Sequence, residues 1–232
     1  MDTLDAWIQN KDFEFEFKNI ELNTKNNIAL DFDGVITNPF SLKKEYLTNK
    51  GYSISKKTIT KKDIISEMQN QKKLSEQQAN KEYDEMIVSL YIEKMNEIPL
   101  FEYVKETINE MNSNGHNIYI VTSRYDDVQR PEIKAALEYL KENEIKIEAL
   151  INTNNKSKKD VLKKIKPLIY VDDSLSKITE LYEDSACSKI IPELKNTRFY
   201  LFNIHSNEST LPNNIKTVHN WKQIRDILYK HH

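Results

Sequence analysis

The stretch Ile28-Ala29-Leu30-Asp31-Phe32-Asp33-Gly34-Val35 decides the fold. It is an apolar strand that stops abruptly in two acids and a glycine. Two later runs end in the same way: Ile120-Val121-Thr122-Ser123-Arg124 and Tyr170-Val171-Asp172-Asp173-Ser174. Helical patterns separate these strands, and that alternation predicts an α/β fold, a Rossmann-like parallel sheet covered by helices on both faces. In such sheets ligands gather at the carboxyl ends of the strands, where all three runs finish. The carboxylates of Asp31, Asp33, Asp172 and Asp173 would then converge on one edge. Acids packed that closely repel one another unless a cation sits among them. An all-oxygen ligand set favours a hard cation, Mg²⁺ above others.

Composition narrows the possibilities. With 232 residues the chain can hold one α/β domain plus a small insertion. Its 34 basic and 36 acidic residues leave a net charge of −2, so nothing global attracts it to nucleic acid or a membrane. No apolar run approaches the roughly 20 residues that cross a bilayer. Met1-Asp2-Thr3-Leu4-Asp5 lacks the basic start and apolar stretch of a signal peptide, and Cys187 has no second cysteine to pair with. A cytoplasmic location is the expectation. Glycine occurs only at positions 34, 51 and 115, which excludes a P-loop and a G-x-G-x-x-G nucleotide turn.

Working outward from the first strand, residues 1–27 form a polar lead-in. Within it Phe13-Glu14-Phe15-Glu16-Phe17 alternates with period two, as an edge strand or hairpin arm does. Residues 40–97 are rich in Lys, Glu and Gln and carry helical spacing in Tyr83, Met86, Ile87, Leu90, Tyr91 and Met95. They read as a helical insertion, a cap, in a core made of 1–39 and 98–232. Ile98, Phe101, Val104, Ile108 and Met111 mark one helix face, with Gly115 placed to end it. Further elements are expected as a strand over 117–121, a helix after Pro131, a strand over 147–151, a helix capped by Ser157, a strand over 168–171, a helix over 175–182, a strand over 198–202 and a helix over 221–228.

The chemistry starts with spacing. Asp31 and Asp33 are two apart, so an extended backbone points both the same way. One carboxylate can attack phosphorus and a second acid can protonate the leaving oxygen. A D-G pair is also a common turn former. Thr122 and Ser123 could hold a phosphate oxygen or serve as an ordinary helix cap. Arg124 could fork onto a phosphate or sit in a surface salt bridge. The adjacent acids Asp172 and Asp173 are harder to explain without a cation, since a helix cap accounts for one of them and not both. In Lys156-Ser157-Lys158-Lys159-Asp160, one lysine in the site and the others in solvent is the preferred arrangement.

In this order the motifs resemble those of the haloacid dehalogenase-like superfamily of phosphohydrolases: D-x-D-G, a strand-ending Thr, a Lys, then a strand-ending D-D. The resemblance covers about residues 28–228. It implies Asp31 as nucleophile and Asp33 as general acid/base, with Thr122 and Lys158, or else Lys156, on the phosphate. It also implies Mg²⁺ held by Asp31, the Asp33 backbone carbonyl and Asp173, supported by Asp172. The helix–strand segments around Arg124 and Ser174, with Val218-His219-Asn220-Trp221, look most like the 5′-nucleotidase-type members. The expected function is a Mg²⁺-dependent phosphomonoesterase acting on a small phosphorylated substrate, a nucleotide being the foremost candidate.

Two other readings compete. Lys43, Lys44, Lys50, Lys56, Lys57, Lys61 and Lys62 would suit a polynucleotide-end phosphatase if they formed a patch, though their acidic neighbours favour a solvated surface. A non-catalytic binding scaffold would be expected had the acid set been incomplete.

Overall fold

A computed structural model describes residues 7–9, 15–17, 26–54, 60–126, 131–154, 156–183, 189–203 and 211–229. Strands β1 (Trp7–Gln9) and β2 (Phe15–Phe17) pair antiparallel, so the period-two segment is a hairpin-like arm where it is described; Phe13 and Glu14 lie outside the described residues. The main sheet contains β3 (Asn27–Leu30), β4 (Asn117–Thr122), β5 (Ala149–Asn152), β6 (Ile169–Asp172), β7 (Arg198–Phe202) and β8 (Ile215–Val218). All of its pairings are parallel, and the order is β5-β4-β3-β6-β7-β8. This is the expected Rossmann-like α/β fold.

The chain first builds outward from β3 through β4 to β5, then returns to the other side of β3 with β6. The reversal opens a crevice between the carboxyl ends of β3 and β6. Register fixes what meets there. Leu30 lies beside Ile120 and Val171, so Asp31 emerges at the level of Asp172, its N–H donating to Val171 O at 2.9 Å.

Alternation along the strands divides the core. Ile28, Leu30, Ile120, Val171 and Phe202 face one layer, which includes Trp221 of α8 (Trp221–Tyr229). Ala29, Tyr119, Val121, Tyr170 and Leu201 face the other, against Val161, Leu162 and Ile165 of α6 (Lys159–Ile165). A sheet buried on both sides needs such continuously apolar strands. The Trp221 indole donates to Val35 O at 2.8 Å, tying the last helix to the turn that follows Asp33.

Between β3 and β4 the chain makes α1 (Phe40–Asn49), α2 (Lys61–Lys72), α3 (Glu76–Val88), a π-helical turn at Ser89–Glu93 and a 3₁₀ turn at Met95–Glu97. Polar signals set the helix starts: Thr60 accepts from Asp63 N, and Ser75 with Gln78 forms a reciprocal capping box. Both ends of this segment run side by side. Thr37 pairs with Leu100, Asn38 N donates to Pro99 O at 2.8 Å, and Phe101 N donates to Ile36 O at 3.0 Å. A two-stranded ribbon therefore joins the insertion to the sheet.

Some expectations need correction. Helix α4 runs Val104–Ser113, so Phe101 belongs to the ribbon and Ile98 to the end of the 3₁₀ turn before it, neither of them to the helix face. Tyr103 takes a left-handed conformation (φ 67°) that prevents the helix starting earlier. Ser157 accepts from Lys159 N and donates to Glu180, but Lys158 occupies the cap position of α6. Strand β8 was not expected at all: Ile215–Val218 is short, and only Ile215 and Val218 are buried. Helix α5 (Glu132–Glu142) falls where periodicity places it, whereas α7 (Leu175–Thr179) starts as expected but stops three residues short of position 182. No helix among the described residues is long and apolar enough to cross a membrane.

Candidate active site

The crevice between β3 and β6 gathers the acids. Asp31, Asp172 and Asp173 each offer a carboxylate oxygen, and these lie within 4.8 Å of one another. Asp172 is fully buried and its oxygens are occupied: Lys158 donates at 2.8 Å, Ser174 N at 2.8 Å, and the Tyr170 hydroxyl makes a very short bond. Tyr170 stands two residues before Asp172 on the same strand face, a spacing that could have revealed it. Asp173 remains open to solvent beside Asp31.

Gly34 makes room for this arrangement. Its φ of +83° suits glycine, and a Cβ there would come within 2.1 Å of Asp173 Oδ2. Asp173 reaches the crevice only because that side chain is missing.

Lys158 enters the site from the start of α6, and Lys156 does not. Lys158 is 3% exposed and donates to Asp31 Oδ1 at 2.7 Å, whereas Lys156 is exposed. Thr153, which the sequence did not single out, staples this loop. Its hydroxyl donates to the Lys156 carbonyl at 2.9 Å and meets the Ser123 hydroxyl at 3.0 Å, while its N–H donates to Thr122 O. Thr122 and Ser123 thus close the β4 side of the crevice, with Thr122 buried.

Arg124 has a partner other than the phosphate expected of it. Its Nε and Nη2 clasp the two Asp33 oxygens at 2.8 Å each, and Nη1 donates to the Glu132 carbonyl at 3.2 Å. The guanidinium is buried, packed 4.6 Å from the Phe32 ring and 4.4 Å from the Tyr91 ring. A planar fork matches a carboxylate bidentately, and Asp33 supplies one.

Electrostatics follow from these contacts. Burial pushes Asp31 up to about 7 against the pull of Lys158, with Asp172 adding to the rise. Desolvation and the charges of Asp31 and Asp172 also hold Asp173 well above the ordinary carboxylate range. Burial would raise Asp33 too, but the Arg124 fork outweighs it and the pKa is lowered. Lys158 loses to burial and gains more from Asp172 and Asp31, so its pKa is raised and it stays charged. Asp31 and Asp173 are therefore the acids whose ionised forms are least compensated by the protein, and the pair that gains most from a cation. Hard carboxylate donors gathered within 4.8 Å of one another suit Mg²⁺.

The insertion adds a cation of its own. Lys43 on α1 is half-buried with its amine 5.5 Å from the Tyr91 ring centre. Burial lowers its pKa, opposed by Asp33 and Asp173. Some lysines of the supposed patch have partners of their own. Lys50 lies over Tyr46 and near Glu85, Lys61 lies over Tyr83, and Lys56 and Lys57 fall outside the described residues.

Residues 28–137 match the family of haloacid dehalogenase-like hydrolases. That match takes in Asp31, Asp33, the insertion and the end of β4; Lys158, Asp172 and Asp173 lie beyond it and join it through the fold. Among solved structures, the chain is similar to a candidate phosphatase from Clostridium difficile, at 17% identity and a TM-score of 0.57, covering 89% of this chain and 99% of that one. It is also similar to a candidate β-phosphoglucomutase from Thermotoga maritima, at 14% identity and a TM-score of 0.54, over 89% and 100%. A third is a haloacid dehalogenase family hydrolase from Deinococcus radiodurans R1 with bound phosphate and sodium, at 11% identity and a TM-score of 0.52, over 89% and 96%. No curated protein matches the chain by sequence.

Proposed function

We propose that this haloacid dehalogenase-like hydrolase cleaves phosphate monoesters through an aspartyl-phosphate on Asp31. The observation that carries the reading is the pairing of Lys158 with both Asp31 and Asp172, beside an exposed Asp173 whose carboxylate lies within 4.8 Å of theirs. Lys158 holds Asp31 Oδ1, which leaves the other oxygen to attack phosphorus. The ester P–O bond breaks as the new P–O bond to Asp31 forms, and the departing oxygen is protonated through Asp33. Arg124 keeps Asp33 ionised in the free protein, and Asp33 takes up that proton from the bound substrate monoanion or from solvent. Asp33 then takes a proton from water, whose oxygen attacks phosphorus and releases Asp31 and inorganic phosphate. Asp31, Asp173 and the Asp33 backbone carbonyl would hold Mg²⁺, which supplies neutralisation of the charge that builds on the phosphoryl oxygens.

Residues 40–97 act as a cap over the crevice, and its Lys43 is a cation that interacts with Asp33 and Asp173. A small, doubly anionic substrate fits a site with this lysine at its mouth. Nucleoside monophosphates head the list on the sequence resemblance, and a location in the cytoplasm accords with an unpaired Cys187.

Phosphate release from a panel of nucleoside monophosphates, sugar phosphates and 3′-phosphorylated oligonucleotides, with Mg²⁺ and with chelator, tests the reading. Chelator-sensitive release from one class, abolished by Asp31→Asn, is expected. Turnover by Asp31→Asn close to the wild-type rate would exclude the mechanism.

A further inference from the structure

We propose that Arg124 is a positioning residue through which the helical insertion holds the Asp33 carboxylate in place for proton transfer. The inference rests on the phosphatase reading for its activity test and on geometry for its substance.

Every donor of the Arg124 fork that faces Asp33 is used. Nε meets Oδ2 and Nη2 meets Oδ1, both at 2.8 Å, so the carboxylate is fixed in rotation as well as in place. Thr37 adds a long contact to the same Oδ1 at 3.4 Å. What fixes the guanidinium in turn comes from two parts of the molecule. Phe32 and the Glu132 carbonyl belong to the sheet layer and its covering helix. Tyr91 and Met95 belong to the insertion: the Tyr91 ring lies 4.4 Å from the guanidinium carbon, and Met95 Sδ is 3.4 Å from Nη2.

Tyr91 sits in the π-helical turn at Ser89–Glu93. Such a turn re-aims one side chain within an otherwise α-helical run and is common at functional sites. Here it directs a buried ring onto the guanidinium. An arginine packed between two rings has few other rotamers open to it, so moving the insertion removes one wall and frees the fork. Asp33 is then held only while the insertion is seated.

The test compares kcat/KM for phenyl phosphate, a poor leaving group, with 4-nitrophenyl phosphate, a good one. This parameter reports steps through the first phosphoryl transfer, in which only the poor leaving group needs a proton. Arg124→Lys keeps the charge and loses the fork; Tyr91→Leu keeps the bulk and loses the ring. Each is expected to lower the phenyl phosphate value at least about tenfold more than the 4-nitrophenyl phosphate value. Tyr91→Phe, which keeps the ring, should leave the ratio as in the wild type. Partial unfolding cannot mimic the effect, because it removes active sites for both esters alike.

Equal losses for the two esters in Arg124→Lys would overturn the inference and mark Arg124 as a phosphate contact. Crystal structures of Arg124→Lys and Tyr91→Leu give a readout that needs no turnover. An Asp33 carboxylate displaced from its wild-type place supports the inference, and one unmoved in both variants overturns it. Hydrolysis of neither ester by the wild type would leave the phosphatase reading to the substrate panel above, and the structures alone would then decide the positioning role.

Discussion

Lys158 and Asp31 stand 127 residues apart in the chain and meet at 2.7 Å beneath the crevice. The same ammonium lies 2.8 Å from Asp172, so one cation serves two buried acids. Removing it would leave both uncompensated in a poorly solvated place. Lys158→Met is therefore expected to destabilise the metal-free protein by about 3 kcal/mol, the scale for breaking a buried ion pair. Urea unfolding in chelator measures this. Added Mg²⁺ should recover part of the loss, because it supplies positive charge to Asp31. A variant as stable as the wild type in chelator would show that the acids are already neutral without the lysine.

Proton uptake gives a second expectation. In the metal-free protein Asp31 is pushed up to about 7 by burial. Its ordinary value lies near 4. Between those two values the folded state holds more protons than the unfolded one, so this group makes stability fall as pH rises through the window. Asp33 has the opposite shift, but its contribution is lost only below the ordinary carboxylate value and does not offset the first. Unfolding in chelator should thus show a less stable protein at pH 8 than at pH 6. Mg²⁺ must displace the proton, so its affinity should rise by up to about tenfold per pH unit on approaching pH 7 from below. Titration calorimetry in buffers of different ionisation enthalpy reads the released proton directly. Affinity flat from pH 6 to pH 8 would rule out Asp31 as a ligand.

Gly34 permits a third test. A methyl group there collides with Asp173 Oδ2 at 2.1 Å and also meets an unfavourable φ of +83°. The backbone strain alone costs about 1 kcal/mol. Gly34→Ala is expected to cost more than that in stability and to weaken Mg²⁺ binding in the folded variant, since Asp173 must move away. Mg²⁺ titration of protein shown folded by circular dichroism separates the two effects. Wild-type Mg²⁺ affinity in that variant would remove Asp173 from the ligand set.

Lys43 offers a fourth. The amine is half-buried beside Tyr91 and interacts with the charges of Asp33 and Asp173. Lys43→Met keeps the aliphatic stem and removes the charge. KM for the best substrate of the panel is expected to rise about tenfold, with kcat changed much less, as when a binding contact common to ground and transition states is lost. An unchanged KM would take Lys43 out of the substrate's reach.

The sheet and the acid cluster were legible because strand ends carry their own signal. Apolar runs stopping at Asp31, Thr122 and Asp172 placed three strands and the edge on which they meet. The choice between Lys156 and Lys158 was not legible. Both lie within three residues of the start of α6, and only the tertiary path through Thr153 decides which amine turns inward. The partner of Arg124 was not legible for a related reason. A strand-end arginine looks the same whether its fork meets a phosphate or Asp33, and the rings of Phe32 and Tyr91 that settle the matter come from distant positions. Tyr170 was passed over because a tyrosine in a buried strand reads as core until its hydroxyl finds Asp172. Strand β8 escaped because so short a segment, with its middle residues exposed or half-buried, offers too little periodicity.

The paired ribbon of Ile36–Asn38 and Pro99–Phe101 has one more consequence. Because the chain leaves and rejoins the sheet at neighbouring points, whatever is threaded between them is grafted, not woven. A different helical segment could occupy that socket with no change to strand order. Wholesale deletion is another matter, since Ile98, Met95 and Leu47 are buried together with Tyr139 and Phe32 of the sheet layer. Substrate preference can therefore diversify by exchanging one contiguous stretch of sequence, while the hydrolytic centre beneath is inherited unaltered.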